Sequence, residues 1–224
     1  MEKIIIIGGR GTPIVIADQI YDANKRFGLK TEVLGLALDD LSGGNEINGY
    51  PIVCGTREVM DKYGKYDDVR FLFALYRPDV IDERSDLLYS YGIPENKFTN
   101  FIHPSVLVSR SAKIGFGNVI LANTVINPNF IIGNFNVINS LCLLGHDSMM
   151  GNNNYFSAEN VVGSGVKIGD RNFIGLNSTL RNSIEIGNRN IIAMASNVVK
   201  DVQNDMILMG NPARQKEKLN NVMR

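Results

Sequence analysis

Apolar residues recur with a strict period in the second half of the chain. From residue 102 to residue 198 every sixth position is apolar, which makes 17 positions in a chain that is 44% apolar overall. They are Ile102, Val108, Ile114, Ile120, Ile126, Ile132, Ile138, Leu144, Met150, Phe156, Val162, Ile168, Ile174, Leu180, Ile186, Ile192 and Val198. A fixed hexapeptide period predicts a parallel β-helix, a solenoid of short stacked strands.

A longer period of 18 residues contains the shorter one. An apolar residue, a glycine, two variable residues and an asparagine recur five times, with the asparagines at 118, 136, 154, 172 and 190. Three six-residue sides close one triangular coil, so residue i should stack on residue i+18. The apolar residue should then point inward, and the glycine after it should turn the corner, where a positive φ is favoured. The asparagine column should form an amide ladder. A solenoid with no activity would show the same pattern.

The first hundred residues predict a different unit. Residues 3–7 are β-branched without alternation, as in a buried parallel strand. A glycine-rich turn follows, then a helical stripe to residue 27 and a second strand at 32–38 that ends on Asp39 and Asp40. This order is the outline of a Rossmann-like nucleotide-binding α/β unit. Glycine in such a turn also has a steric explanation, and an acidic strand end can be a plain solvated turn, so both alternatives stay open.

We place the domain boundary near residue 100, with an α/β domain at 1–100, a β-helix at 101–214 and a polar tail at 215–224. Lys plus Arg and Asp plus Glu are both 23, so no electrostatic footprint for nucleic acid appears. No segment approaches the ~18 apolar residues of a membrane span, and no cleavable signal is present. We therefore expect a soluble cytoplasmic protein. Cys54 and Cys142 show neither a disulfide framework nor metal-ligand spacing, and Cys142 should be a buried rung residue.

The chain contains two histidines. His103 precedes a proline at the domain junction, where we expect a structural role. His146 comes two residues after the inward Leu144, so it should lie at a corner and point outward. An outward imidazole is either surface decoration or a base that faces a neighbour, and Asp147 could fix its orientation. Histidine can accept a proton near neutral pH, which makes His146 the candidate base.

Five motifs together suggest a family: Gly8-Gly9-Arg10-Gly11, Leu38-Asp39-Asp40, Phe101-Ile102-His103-Pro104-Ser105, Leu144-Gly145-His146-Asp147 and Gly210-Asn211-Pro212-Ala213. Over nearly its full length the chain resembles the hexapeptide-repeat sugar acyltransferases of the sialic acid O-acetyltransferase type. The resemblance is greatest to the nucleotide-sugar N-acetyltransferases of bacillosamine and perosamine synthesis.

This resemblance implies a left-handed β-helix, a homotrimer and an acetyl-CoA site between adjacent helices. It implies that His146 is the catalytic base, with Asp147 beside it. The nucleotide of the sugar would contact Gly9, Arg10, Gly11, Asp39 and Asp40. Acetyl-CoA, the acyl donor, would lie near Tyr155, Ser164, Gly175, Ala193, Gly210, Pro212 and Arg214. No metal is expected, since a zinc site of the carbonic anhydrase kind needs three imidazoles.

Three departures from the family pattern leave the acceptor open. Arg10 replaces a small residue, Leu75-Tyr76-Arg77 replaces a Gly-Asn pair, and Tyr155 replaces a second histidine. The expected mechanism is direct attack on the thioester, with no covalent intermediate and with a backbone N–H at Ser164 as oxyanion donor.

Three hypotheses follow for the function. The first is N-acetylation of a nucleotide-linked sugar of the 4-amino-4,6-dideoxy type. The second is O-acetylation of a sialic acid type of sugar, and the third is a non-catalytic trimeric scaffold or nucleotide sensor. The residues do not separate an amine from a hydroxyl acceptor, and they name neither the sugar, its nucleotide base nor the acyl chain.

Overall fold

The computed structural model describes residues 1–216. An α/β unit comes first and a stack of short parallel strands follows it. The predicted tail at 215–224 lies outside the described residues except for Gln215 and Lys216. These two residues belong to the last strand, which pairs antiparallel with the strand before it and so extends past the expected boundary at 214.

The α/β unit is built on one five-stranded sheet. Its elements are β1 (Glu2–Ile7), α1 (Thr12–Phe27), β2 (Thr31–Ala37), β3 (Glu46–Ile47), β4 (Tyr50–Cys54), α2 (Val59–Tyr63), β5 (Val69–Phe73) and α3 (Ile81–Ser90), with 3₁₀ turns at Thr56–Glu58, Pro78–Val80 and Glu95–Lys97. The strand order is β3-β4-β2-β1-β5, parallel except for β3. The isoleucines at 4–7 are at most 1% exposed, because β1 lies between two neighbours and under helices.

Nineteen further strands follow. They are β6 (Phe101–Ile102), β7 (Leu107–Val108), β8 (Lys113–Ile114), β9 (Val119–Ile120), β10 (Val125–Ile126), β11 (Ile131–Ile132), β12 (Val137–Ile138), β13 (Leu143–Leu144), β14 (Met149–Met150), β15 (Tyr155–Phe156), β16 (Val161–Val162), β17 (Lys167–Ile168), β18 (Phe173–Ile174), β19 (Thr179–Leu180), β20 (Glu185–Ile186), β21 (Ile191–Ile192), β22 (Asn197–Val198), β23 (Ile207–Met209) and β24 (Arg214–Lys216).

The strands from β6 onward stack into three sheets. Sheet I contains β6, β9, β12, β15, β18, β21, β23 and β24, sheet II contains every third strand from β7 to β22, and sheet III contains every third strand from β8 to β20. Paired residues from β6 to β22 are 18 apart, as in Leu144 with Val162, so the predicted triangular coil is confirmed. The inward residues from Ile120 to Val198 are buried, and so is Cys142. Val108 is 36% exposed because no coil lies beneath it.

The glycines of the repeat have a different role from the one predicted. Positive φ angles recur three residues after the inward positions from Ile114 to Ile192, on residues such as Asn129, Asp147 and Ala195, and not on the glycine that follows the inward residue. That glycine is required by packing between coils. A Cβ on Gly133 would lie 2.5 Å from the carbonyl oxygen of Gly151, well inside van der Waals contact. The expectation of a positive φ at these glycines was wrong.

The asparagine column forms the predicted ladder. The side-chain amides of three asparagines donate to Oδ1 of the asparagine 18 residues earlier, at 3.1 Å from Asn136 to Asn118 and at 3.0 Å from Asn154 to Asn136 and from Asn172 to Asn154. Each of these Oδ1 atoms also accepts the backbone N–H of the next asparagine. The three donors are fully buried, so the ladder satisfies polar groups inside the coil.

The α/β unit packs on sheet I. One apolar cluster joins its strands to outward residues of sheet I such as Val119 and Val137. Gln19 of α1 bonds the hydroxyl of Ser140 and the backbone N–H of Ala122. His103 is buried at this junction, with its ring edge-on to Phe27 and Phe101, which agrees with a structural role. Burial lowers the pKa of His103 and so favours its neutral form.

The ladder gives a stability prediction. Asn154→Ala removes one rung. The backbone N–H and the side-chain amide of Asn172 lose their acceptor inside the coil, and Oδ1 of Asn136 keeps only the backbone N–H of residue 154. We expect a loss of about 2–4 kcal/mol in the free energy of unfolding, measured by urea denaturation. Asn204→Ala is the control, because Asn204 caps a backbone N–H in an exposed position. Equal losses in the two variants would contradict a special role for the buried ladder.

Candidate active site

His146 lies at the corner between sheets II and III, just after β13. Leu144 points into the coil and is fully buried, while the His146 side chain is 59% exposed. The carbonyl oxygen of His146 accepts the N–H of Gly165 in the next coil, at 2.9 Å. The stacking of coils therefore fixes the backbone at this point and directs the imidazole outward, as predicted.

Asp147 holds the imidazole from one side. Its Oδ2 lies 2.6 Å from Nδ1 of His146, and its Oδ1 accepts the side-chain amide of Asn129 at 2.8 Å. Asp147 has a φ of 57°, the left-handed conformation that turns its carboxylate back toward the histidine. In the neutral tautomer that donates its Nδ1 proton to Asp147, the lone pair of Nε2 faces away from the carboxylate. In that tautomer Nε2 is the ring nitrogen that can accept a proton.

Hydrogen bonds keep the Asp147 carboxylate ionised. The bond from Asn129 is the largest cause, followed by the bond from His146, and together they hold the pKa of Asp147 below its ordinary value. A protonated Asp147 would lose these acceptor interactions. The pairing with His146 therefore operates at neutral pH and weakens in acid.

Ser164 lies one coil beyond His146 at the same corner. β13 and β16 pair in register, which brings positions 146 and 164 onto adjacent coils. The backbone N–H of Ser164, the expected oxyanion donor, already donates to Oδ1 of Asn182 at 3.0 Å. The predicted donor is therefore next to the base but is paired within the chain.

The other residues predicted to contact acetyl-CoA lie elsewhere on the coil. Gly175 and Ala193 are at the corner between sheets I and II, on the opposite edge of sheet II from His146. Gly175 has its own structural explanation, since a Cβ there would lie 2.5 Å from the backbone nitrogen of Met194. Gly210 and Pro212 lie in the exit turn, in which the peptide bond before Pro212 is cis, and Arg214 is the first residue of β24.

The corner between sheets I and II has a feature that the sequence analysis missed. The backbone N–H groups of Ala158, Leu176 and Met194 make no hydrogen bond within residues 1–216. Leu176 and Met194 are 51% and 70% exposed. At the corner between sheets III and I, the equivalent groups are capped by the side chains of Asn134, Asn152, Asp170, Asn188 and Asn204. The sequence did indicate this difference. Asn and Asp recur every 18 residues at the corner between sheets III and I, whereas small and apolar residues occupy the equivalent positions between sheets I and II.

The predicted nucleotide residues meet at the carboxyl edge of the α/β sheet. The N–H of Gly8 donates to the carbonyl of Ala37, which joins the loops after β1 and β2. Gly9 approaches Leu38 so closely that a Cβ would lie 2.6 Å from its side chain. Gly11 has a φ of 74° and begins α1 without a side-chain cap. The guanidinium of Arg10 reaches across to Gly43 in the loop after β2.

The two aspartates at this edge have partners in the chain. Both carboxylate oxygens of Asp39 accept hydrogen bonds from Thr56, each at 2.7 Å, so Asp39 joins β2 to the turn after β4. Asp40 accepts the N–H of Ser42, and hydrogen bonding first to the side chain and then to the backbone of Ser42 lowers the pKa of Asp40. A cavity of about 430 Å³ opens beside Asp39, lined also by Cys54 and Lys62.

Tyr155 connects the glycine loop to the β-helix. Its hydroxyl lies 2.8 Å from Oγ1 of Thr12, the first residue of α1, and its ring stacks on Phe173 with centroids 5.3 Å apart. Tyr155 is on sheet I, so within one chain it lies under the α/β unit and not at the His146 corner.

The described part of the chain contains neither a candidate metal site nor a candidate membrane-spanning helix. No group of three or more His, Cys, Asp or Glu side chains within residues 1–216 could hold a metal ion. Within the same residues, no helix has both the length and the apolar character that crossing a bilayer requires.

The architecture is shared with several solved structures. A mutant of perosamine N-acetyltransferase from Caulobacter crescentus, in complex with CoA and GDP-perosamine, superimposes with a TM-score of 0.79 at 23% identity and covers 97% of this chain and 98% of that one. The acetyltransferase domain of PglB from Neisseria gonorrhoeae with acetyl coenzyme A gives 0.80 at 20% identity, covering 96% and 99%. WeeI from Acinetobacter baumannii gives 0.78 at 22%, covering 96% and 100%.

A sequence relative agrees with these structures. UDP-N-acetylbacillosamine N-acetyltransferase of Bacillus subtilis is 34% identical over 127 residues, which cover 54% of this chain and 52% of the relative. The match therefore spans about half the length of that relative. No protein-family model matches the chain. The comparisons confirm the resemblance that the motifs indicated, and the solved structures show the fold.

The His146 corner gives a prediction about charge. Asn129→Ala removes the largest cause of the lowered pKa of Asp147, so that pKa should rise toward its ordinary value, as observed by carboxyl NMR titration. Because the folded-state pKa is depressed, the interaction stabilises the protein above the unfolded-state pKa, and the effect is lost as pH falls through the folded-state value. Asn123→Ala, at an equivalent left-handed corner position, is the control. An unchanged titration of Asp147 in Asn129→Ala would refute this assignment.

Proposed function

We propose that the protein transfers the acetyl group of acetyl-CoA to the amino group of a nucleotide-linked sugar. The observation that carries the proposal is the His146 and Asp147 pair, whose Nε2 faces outward at a coil corner. Relatives of this fold support the choice of substrates, since one is solved with CoA and GDP-perosamine and another with acetyl coenzyme A. The B. subtilis relative supports an amine as the acceptor.

The reaction follows from the base and one backbone donor. Nε2 of His146 removes a proton as the sugar amine attacks the thioester carbonyl, a step typically worth ~10²–10⁴-fold. The new C–N bond forms a tetrahedral intermediate, whose oxyanion takes the N–H of Ser164. The C–S bond then breaks, and the imidazolium returns the proton to the leaving sulfur of CoA. Asp147 keeps the tautomer and stabilises the imidazolium throughout.

The acyl donor would follow the corner between sheets I and II. Ala158, Leu176 and Met194 present a column of N–H groups without a partner among residues 1–216, and neighbouring strands in a sheet are about 4.8 Å apart. The pantetheine arm of CoA carries two amide groups that could accept such donors. The exposed apolar side chains of Leu176 and Met194 would cover its methylene groups. The exit turn with Gly210 and Pro212, together with Arg214, would hold the other end, where Arg214 suits a phosphate.

The nucleotide-linked acceptor would bind at the carboxyl edge of the α/β sheet. Gly9 and Gly11 leave the start of α1 open, where backbone N–H groups favour phosphate, and Arg10 adds a positive charge. Asp40 is exposed at the same edge. Asp39 would contact the acceptor only in the orientation that its two hydrogen bonds from Thr56 fix. The contact of Thr12 with Tyr155 marks the path from this loop to the coil.

A homotrimer would complete the site. Within one chain, His146 and the pair Gly175 and Ala193 lie on opposite edges of sheet II, so a site that contains all three needs a corner from a neighbouring copy. Sheet II exposes an apolar stripe that includes Leu143 and Val161, which are 41% and 40% exposed. We take this stripe as part of the contact between copies, and we take the coil to be left-handed as in the predicted family.

The first test is acetyl transfer itself. Thiol release from acetyl-CoA should occur with one member of a panel of UDP-, dTDP- and GDP-linked 4-amino sugars. His146→Ala should lower this rate by more than ~10²-fold with an unchanged melting temperature, because the side chain is exposed and supports no packing. Turnover only with a free sialic acid would favour O-acetylation. No turnover with any acceptor would refute the enzyme and leave the scaffold hypothesis.

The assembly has its own test. Leu143→Glu places a charge in the apolar stripe and should convert a trimer to monomers in sedimentation velocity, with a loss of activity. Tyr66→Glu is the control, because Tyr66 is 46% exposed on the α/β unit, away from the stripe. A wild-type monomer, or a Leu143→Glu trimer, would show that this surface does not join the copies.

A further inference from the structure

The side chain of Asn182 covers the amide that the proposed reaction needs. Its Oδ1 accepts the N–H of Ser164 at 3.0 Å, from one coil further along. Asn182 also lies directly over Gly163, since a Cβ added to Gly163 would collide with Oδ1 and would lie 2.6 Å from the backbone nitrogen of Asn182. The glycine therefore provides the space in which this cap sits.

The cap is isolated at its corner. Between sheets III and I such caps form a continuous column, so they belong to the coil's own structure there. Between sheets II and III, within residues 1–216, the backbone N–H groups of His146 and Asn182 have no such partner, and position 128 is proline. Ser164, whose N–H carries this cap, lies one coil after His146.

We propose that Asn182 is a positioning residue that competes with the acyl donor for the N–H of Ser164. The inference rests on the proposed acetyl transfer. One N–H makes one good hydrogen bond, so the thioester oxygen can take this donor only after Oδ1 of Asn182 has left it. Asn182 is exposed, and water can solvate its carboxamide when the side chain rotates away.

This competition should lower the affinity for acetyl-CoA by a measurable factor. A site that is open in only a fraction of molecules binds its ligand more weakly by that fraction. A ligand without the acyl carbonyl does not need the donor, so the cap should leave its affinity unchanged. The cap therefore discriminates between acetyl-CoA and free CoA, and this difference separates it from a purely structural role.

The experiment compares two ligands by calorimetry. One is CoA, and the other is an acetyl-CoA analogue in which CH₂ replaces the sulfur, so that the carbonyl is kept and cannot react. In Asn182→Ala we expect about threefold to tenfold tighter binding of the ketone and unchanged binding of CoA. The value of kcat/KM for acetyl-CoA should rise similarly, with KM for the acceptor unchanged. Asn188→Ala removes the same kind of cap at the other corner and should change neither ligand.

Asn182→Asp keeps the cap and strengthens it, because a carboxylate is a better acceptor for the N–H of Ser164. This variant should bind the ketone more weakly than the wild type, and it decides the matter if Asn182→Ala does not fold. An unchanged or lower ratio of ketone to CoA affinity in Asn182→Ala, or a raised ratio in Asn182→Asp, overturns the inference. A wild-type protein that binds neither ligand and transfers no acetyl group overturns the proposed function as well.

Discussion

Stacking of one coil on the next at a spacing of 18 residues is the constraint on which the rest of the structure depends. Each coil is held by parallel backbone hydrogen bonds, as from Gly145 to Val162 and from Gly165 back to His146. A corner has no core of its own, so its conformation is set by the coils above and below. The outward direction of His146 is therefore a product of stacking. Asp147 refines the orientation of a side chain that the backbone has already placed.

The corners of the coil differ in how their backbone N–H groups are satisfied. At the corner between sheets III and I, amide and carboxylate side chains accept the backbone N–H groups, and the column is satisfied internally. At the corner between sheets I and II, Gln19 of α1 caps Ala122, while Ala158, Leu176 and Met194 have no such cap among residues 1–216. Polar groups left open on a rigid scaffold are available to a ligand. The difference between corners thus divides the coil into a self-supporting edge and edges suited to binding.

Periodicity was sufficient to predict the coil, its inward residues and the asparagine ladder, because each depends only on spacing. It could not assign the reason for the repeat glycines. The left-handed angle falls on Asn129 and Asp147, whose residue types tolerate it, but also on Ala195, while the glycines are required by the approach of the next coil. The partner of Asp39 was hidden, because Thr56 lies in the α/β unit, where no repeat applies. The period does place Asn182 over Ser164, 18 residues earlier, but it does not show that the side chain of Asn182 turns back onto that N–H. The orientation of an individual side chain is decided by tertiary geometry.

The exposure of the His146 corner bears on how such a site could work. Interactions between charges at a solvated surface are screened, and a hydrogen bond to a developing oxyanion is worth far more where water is excluded. In one chain the side chains of His146 and Asp147 are both 59% exposed, so water weakens the electrostatic interactions that this pair makes. The residues that would hold an acyl donor lie on the opposite edge of sheet II, beyond an apolar stripe that water now covers. A second copy packed against this stripe would bury it and would bring its own corner toward His146. The same contact would then both assemble the proposed site and exclude water from it.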